Sequence, residues 1–175
     1  MAYSLIRSDI VFKGKIFDVR VDEVLDPNGR QLRVDLVDHT PSIALVPMDA
    51  EGMIWFVRQY RHPAGEWLLE LPAGSVRAGE DLLECARREC REEIGMSPGK
   101  LTSLGGSFIA PGYSTELLHF YLAQDLTPAP LPPDEDEDLQ VLRLSREEAL
   151  GHLRDGSLRD TKSIAGLFLA LAQEP

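Results

Sequence analysis

Between Leu82 and Ile94, three glutamates stand at i, i+3 and i+4: Glu89, Glu92 and Glu93. The apolar residues of the same stretch recur with helical spacing. On a wheel of about 100° per residue, Leu82, Leu83, Ala86, Cys90 and Ile94 share one stripe roughly 120° wide. Glu93 projects inside that stripe, between Leu82 and Ala86. Glu89 falls just outside it and Glu92 a little further round, while Arg87, Arg91 and Glu84 lie opposite or beside it. Like charges at this spacing repel, and half-buried carboxylates are costly unless something pairs with them. A solvated acidic face is the ordinary reading of neighbouring glutamates on a helix. A carboxylate in the apolar sector calls instead for a hard cation, and Mg²⁺ takes oxygen ligands of this kind.

The rest of the composition narrows the field. At 175 residues the chain is long enough to bury a real core. A net charge of −11 argues against nucleic-acid binding, which needs a basic footprint. It also means that any anionic substrate would need bound cations to offset the repulsion. No apolar run is long enough to span a membrane. The first fifteen residues carry scattered charges and no apolar segment, so a cytoplasmic protein without a secretory signal is expected. Cys85 and Cys90, five residues apart, point about 140° from each other on a helix, which rules out a disulfide between them there. Small buried side chains in a reducing compartment are expected.

The remaining pattern mixes strands and helices around one core. Phe17–Asp22 alternates with period two, and Pro27-Asn28-Gly29 reads as a hairpin turn. Ser42–Pro47 and Met53–Val57 are apolar runs joined by Asp49-Ala50-Glu51-Gly52, and Trp67–Leu71 is one more strand, halted by Pro72. A loop over Ala73–Gly79 leads to a helix over roughly Glu80–Ile94, with Gly95 as its stop. Strands are expected at Leu104–Ala110, Leu117–Leu122 and Leu139–Leu144, with Thr127–Asp138 as loop. Ser145 reads as the N-cap of a helix over Arg146–Leu153, with Glu148 completing a capping box. A final helix is expected over Ser163–Ala172. The order predicts an α+β or α/β/α fold.

Gly74, Glu80 and the run Arg88-Glu89-Cys90-Arg91-Glu92-Glu93-Ile94-Gly95-Met96 also form one longer pattern. It resembles the Nudix box, Gx5Ex7REUxEExGU, at every fixed position; Cys90 is a mild departure where an aliphatic residue is more usual. The resemblance implies a Nudix-type α/β/α sandwich with a mixed sheet, the box forming a loop–helix–loop. It implies that Glu89, Glu92 and Glu93 bind Mg²⁺, with Mn²⁺ as a substitute, and that the Ala73 carbonyl is a further ligand. Glu80 and Arg88 are implied to brace the loop against the helix, with Gly74 and Gly95 structural.

Other segments resemble the ADP-ribose pyrophosphatase branch of that family. They are Gln59-Tyr60-Arg61, Glu70-Leu71-Pro72-Ala73-Gly74, Pro111-Gly112-Tyr113-Ser114-Thr115-Glu116 and Asp160-Thr161-Lys162. Pro111 lies sixteen residues beyond Gly95, where that branch has proline. The branch implies that residues 1–40 are an antiparallel β extension that builds a homodimer and that 41–175 are the catalytic domain. Arg61 would grip a diphosphate or ribose oxygen through its fork of donors, with Pro111, Gly112 and Glu116 as further substrate contacts. Each also has a plain reading: a surface cation for Arg61, an ordinary turn for Pro111-Gly112. The acidic run Asp134–Asp138 reads as a solvated loop. By resemblance, one of its acids acts as general base, Glu135 first and Glu137 second, alongside Glu92.

The expected activity is hydrolysis of a nucleoside diphosphate sugar, ADP-ribose first, to AMP and ribose 5-phosphate. GDP-mannose or another nucleotide sugar is the alternative substrate. A catalytically silent nucleotide-sugar sensor is the alternative outside enzymes.

Overall fold

The computed structural model describes residues 2–132 and 138–172. They form two compact units, one of residues up to 41 together with 107–118, the other of 42–106 and 119 onward.

In the first unit β1 (Ser4–Lys13), β2 (Asp18–Leu25) and β3 (Gln31–Asp38) make an antiparallel sheet in the order β1-β2-β3. The turn between β2 and β3 is the expected one: Gly29 adopts φ 80°, and the Gly29 N–H donates to the Asp26 carbonyl. The Val37 N–H donates to the Tyr113 carbonyl and the Thr115 N–H to the Val37 carbonyl, which ties residues 113–115 to the end of β3.

The second unit contains two sheets. One has the order β10-β5-β6, from β10 (Leu139–Leu144), β5 (Ile54–Arg61) and β6 (Glu66–Glu70). The other runs β7-β4-β9-β8, from β7 (Ala73–Ser75), β4 (Ser42–Pro47), β9 (Leu117–Pro128) and β8 (Met96–Phe108). All six residues of β4 are buried, which is what its unbroken apolar run requires of a strand covered on both faces. Among the described residues there are also three helices: α1 (Leu82–Glu93), α2 (Arg146–Arg154) and α3 (Thr161–Leu171). The arrangement is α+β.

One core cluster joins Ile43, Leu45, Val57, Cys85, Ala86, Cys90, Ile94, Tyr121 and Ala123, so α1 packs on β4 through small side chains. On α3 the same is done by Gly166, where a Cβ would sit 2.7 Å from Leu71 Cδ1. The α2 capping box forms as expected, with Ser145 and Glu148 exchanging hydrogen bonds. Among the described residues, no helix is long and apolar enough to cross a membrane.

Several boundaries differ from expectation. β8 begins at Met96, not Leu104, and β9 continues to Pro128, past Leu122 and into the segment expected to be loop. α3 starts at Thr161 because the Asp160 side chain accepts from the Ser163 N–H and caps it. Likewise Asp81 caps α1, which leaves Glu80 outside the helix.

Candidate active site on the α1 helix

The buried residues of α1 are Cys85, Ala86, Glu89, Cys90 and Glu93. Relative to Cys85, these positions project at about 0°, 100°, 40°, 140° and 80°. Two carboxylates therefore occupy the middle of the packed face, with the two thiols at its edges. Leu83, expected in the apolar stripe, is exposed, and Glu89, expected beside it, is as buried as Glu93. The buried face is rotated by about 50° from the expected stripe because Cys85, not Leu83, packs on the sheet.

Burying two anions in a helix face requires nearby donors. Arg88 supplies them. Its guanidinium donates from Nε and Nη2 to the two oxygens of Glu80, at 2.7 and 2.9 Å, and from Nη2 to the Ser75 carbonyl at 3.2 Å. Its Nη1 donates to Glu89 Oε1 and, at 2.8 Å, to Glu92 Oε2. Glu80 and Arg88 are thus joined across the loop and the helix, and Arg88 also pairs with Glu92 at i, i+4. Arg88's hydrogen bonds hold the Glu80 carboxyl down at about 2, against the opposing pull of burial, with the Arg77 N–H adding to the effect. Those of Glu80 foremost raise the pKa of Arg88 in turn, so the guanidinium stays charged.

The loop side of the site comes from β7. Glu93 Oε2 accepts from the Ala73 N–H at 3.3 Å. Gly74 lies directly against Glu89: a Cβ there would fall 2.0 Å from Glu89 Oε1 and 2.1 Å from its carboxyl carbon. Glycine at this point leaves the volume that the carboxylate fills. Gly95 follows the helix with φ 71°, a conformation that favours glycine, and so ends α1 next to the site.

Among the described residues, no group of three or more His, Cys, Asp or Glu is arranged to hold a metal ion. Arg88 stands between Glu89 and Glu92, and Glu93 turns to the Ala73 amide. The donor chemistry nevertheless fits a hard divalent cation: carboxylate oxygens, two of the side chains buried, beside a backbone that approaches within contact distance.

A second cluster in the same unit surrounds Glu70, which is 2% exposed. Arg61 donates to Glu70 Oε1 through Nε and to Oε2 through Nη2, each at 2.7 Å, and the Lys162 ammonium also donates to Oε2. Burial opposes the charge on Glu70, but the Arg61 and Lys162 donors outweigh it and hold the carboxyl below its ordinary range. The sequence reading gave Arg61 a role and Glu70 none. The signal was the pairing of a charged residue with the end of an apolar strand, at Leu69-Glu70-Leu71.

Of the other expected contacts, Pro111, Gly112 and Glu116 belong to the first unit. There Glu116 Oε1 lies 4.0 Å from His39 Nδ1. Glu135 and Glu137 lie outside the described residues.

Known proteins resemble this chain. The NUDIX domain model matches residues 38–166. An ADP-ribose pyrophosphatase of Bacillus subtilis is 32% identical over 90% of this chain and 86% of its own length. An ADP-ribose pyrophosphatase of Mycobacterium tuberculosis is 35% identical over 95% of this chain and 82% of its own. A crystal structure of an ADP compounds hydrolase superposes with a TM-score of 0.86 at 25% identity, covering 98% of this chain and 94% of that one. The chain belongs to the Nudix family of hydrolases, in its ADP-ribose pyrophosphatase-like branch.

Proposed function

We propose that this Nudix hydrolase uses Mg²⁺ to cleave the diphosphate of a nucleoside diphosphate sugar, ADP-ribose above all, giving AMP and ribose 5-phosphate. The observation that carries the reading is the pair of buried carboxylates, Glu89 and Glu93, centred on the packed face of α1 against Ala73 and Gly74. A helix does not keep two anions there for stability alone. The names of the B. subtilis and M. tuberculosis relatives support ADP-ribose as the substrate.

Glu89, Glu92, Glu93 and the Ala73 carbonyl would hold the metal, with Mn²⁺ as a substitute. Bound there, a divalent cation neutralises diphosphate charge and lowers the pKa of water. The protein's own residues do the rest. Arg88 and Glu80 fix the carboxylates relative to the β7 loop. Arg61 offers charge-assisted donors to the diphosphate. An acid of the 134–138 loop, Glu135 or else Glu137, accepts the proton of the attacking water. Water adds to one phosphorus, the bond from that phosphorus to the bridging oxygen breaks, and the second phosphate leaves. Glu116, Pro111 and Gly112 contribute to holding the nucleotide sugar.

The reading extends to the whole chain. Residues 1–40 serve as the homodimer element and 41–175 as the catalytic domain. The apolar side chains exposed along β1, such as Leu5, Ile10 and Phe12, support that assignment. The two free thiols fit a reducing cytoplasm.

The test is incubation with Mg²⁺ and ADP-ribose, GDP-mannose, diadenosine polyphosphates and nucleoside triphosphates, with products separated by chromatography. Selective, metal-dependent release of AMP and ribose 5-phosphate is the expected result. Preferential cleavage of GDP-mannose would overturn the substrate and leave the α1 site standing. Binding without cleavage of any would make the protein a sensor.

A further inference from the structure

Glu70 is out of place by ordinary rules. It ends a strand whose next residues, Leu71 and Pro72, are core, and it is itself buried. Both of its oxygens are engaged: Oε1 by Arg61 Nε, Oε2 by Arg61 Nη2 and the Lys162 ammonium. Three of its roughly four acceptor sites are thus taken by cationic donors. The two cations come from distant parts of the chain, one from the end of β5, the other from the first turn of α3.

The far side of the cluster is equally fixed. Asp160 accepts from Lys162 at 2.8 Å, from the Ser163 N–H at 3.1 Å and from the Ser163 hydroxyl. Ser163 Oγ in turn accepts from the Leu71 N–H at 2.6 Å, which closes the network back onto the strand that bears Glu70. Here the anchor is 2% exposed while the Arg61 side chain is 43% exposed. Arg61 spends Nε and one Nη2 hydrogen on Glu70. Its remaining donors have no partner among the described residues. Three residues beyond Glu70, the Ala73 N–H donates to Glu93 Oε2 at 3.3 Å, so the chain runs directly from the cluster to the α1 carboxylates.

We propose that Glu70 is a positioning residue: it locks the Arg61 guanidinium and the Lys162 ammonium into one preformed clamp for the substrate's diphosphate. The proposal rests on the reading of Arg61 as a diphosphate contact. A fork held by a buried carboxylate presents its outer donors in one orientation, so the rotamer freedom of a long side chain is lost at folding and not at binding. Lysine at position 61 could not share a carboxylate in this two-point way.

The experiment measures binding of methylenediphosphonate, an uncleavable diphosphate without nucleoside or sugar, by calorimetry in Mg²⁺. Wild type, Glu70→Gln, Glu70→Asp, Arg61→Lys and the Glu70→Gln/Arg61→Lys pair are compared, with circular dichroism confirming the fold. Glu70→Gln is expected to weaken binding at least about tenfold, the scale of one charge-assisted hydrogen bond. Glu70→Asp keeps the charge and should lose less. The double variant is expected to bind within about twofold of Arg61→Lys, because the two residues act as one unit. Unchanged affinity in a folded Glu70 variant, multiplying effects in the double variant, or no binding by wild type would each overturn the proposal. Should Glu70→Gln not fold, Glu70→Asp and its combination with Arg61→Lys replace it: a measurable loss that does not multiply in the combination is expected, and unchanged affinity or multiplying losses overturn the proposal. Failure of the substrate reading looks different: wild type would bind methylenediphosphonate and leave ADP-ribose intact, and the Glu70 variants would still give their answer.

Discussion

A methyl group on Gly74 would stand 2.0 Å from Glu89 Oε1, inside any allowed contact. The backbone of β7 and the carboxylate of α1 are thus fitted to each other, and the fit leaves no room for a side chain. Gly74→Ala should push the Glu89 carboxylate away from the position where Arg88 holds it. The expected outcome is a fall in kcat of about tenfold or more, with the melting temperature changed far less, since a displaced side-chain end costs the fold little. Steady-state kinetics beside a thermal melt would check it; full activity would show that the contact is not used.

Glu93 sits mid-face on α1 and accepts from the Ala73 amide. Glu93→Gln keeps its size and one acceptor oxygen while removing its charge. Turnover should drop about a hundredfold or more, the scale of several kcal/mol of lost metal-assisted stabilisation. Circular dichroism should be unchanged. Near-normal turnover in a folded Glu93→Gln protein would end the assignment of Glu93 to the metal.

The Glu80–Arg88 brace predicts an acid sensitivity. Arg88 lowers the Glu80 pKa from its ordinary 4.5 to about 2 in the folded chain. A depressed carboxyl stabilises the fold above its unfolded pKa, and that stabilisation is lost as pH falls from about 4.5 towards 2. Urea midpoints measured at pH 7 and pH 3 should therefore differ less in Glu80→Gln than in wild type. An equal difference in both proteins would show that the brace contributes nothing to acid stability.

Burial pushes both thiols up, to about 12 in each case, the nearby Glu93 charge adding to the effect at Cys90. Neither thiol presents thiolate near neutrality, so a thiol reagent should label the native protein negligibly at pH 8 and both cysteines once urea unfolds it. Rapid labelling without denaturant would mean that α1 opens readily from the sheet.

Much of this architecture was legible in the sequence. Ser42–Pro47 and Leu139–Leu144 are strands with the expected limits, because a bounded apolar or alternating run carries its own period. The Ser145–Glu148 box announced α2 because capping is a local interaction. The start of β8 was not legible: proline and glycine are disfavoured inside strands, yet the strand runs through Pro98 and Gly99. Strand limits of that kind are set by the neighbouring strand, β9, and not by local preference. In the site, the three glutamates could be found by spacing, whereas the Glu80–Arg88 pair came only from the family resemblance. The equal burial of Glu89 could not, because it depends on which of Leu83 and Cys85 meets the sheet. Glu70 escaped notice for a related reason: its partners lie at positions 61 and 162, and only the fold brings them together.

All ten residues of β1 are exposed, and Leu5, Ile6, Ile10, Val11 and Phe12 are among them. The strand is also the edge of its sheet, so it offers unpaired backbone groups to any passing chain. Two register shifts, between Leu5 and Arg7 and between Ile10 and Phe12, interrupt that edge. Irregularities of this sort spoil a continuous template for strand addition. How a purified sample tolerates concentration is thus expected to depend on this ten-residue ribbon, far along the sequence from α1.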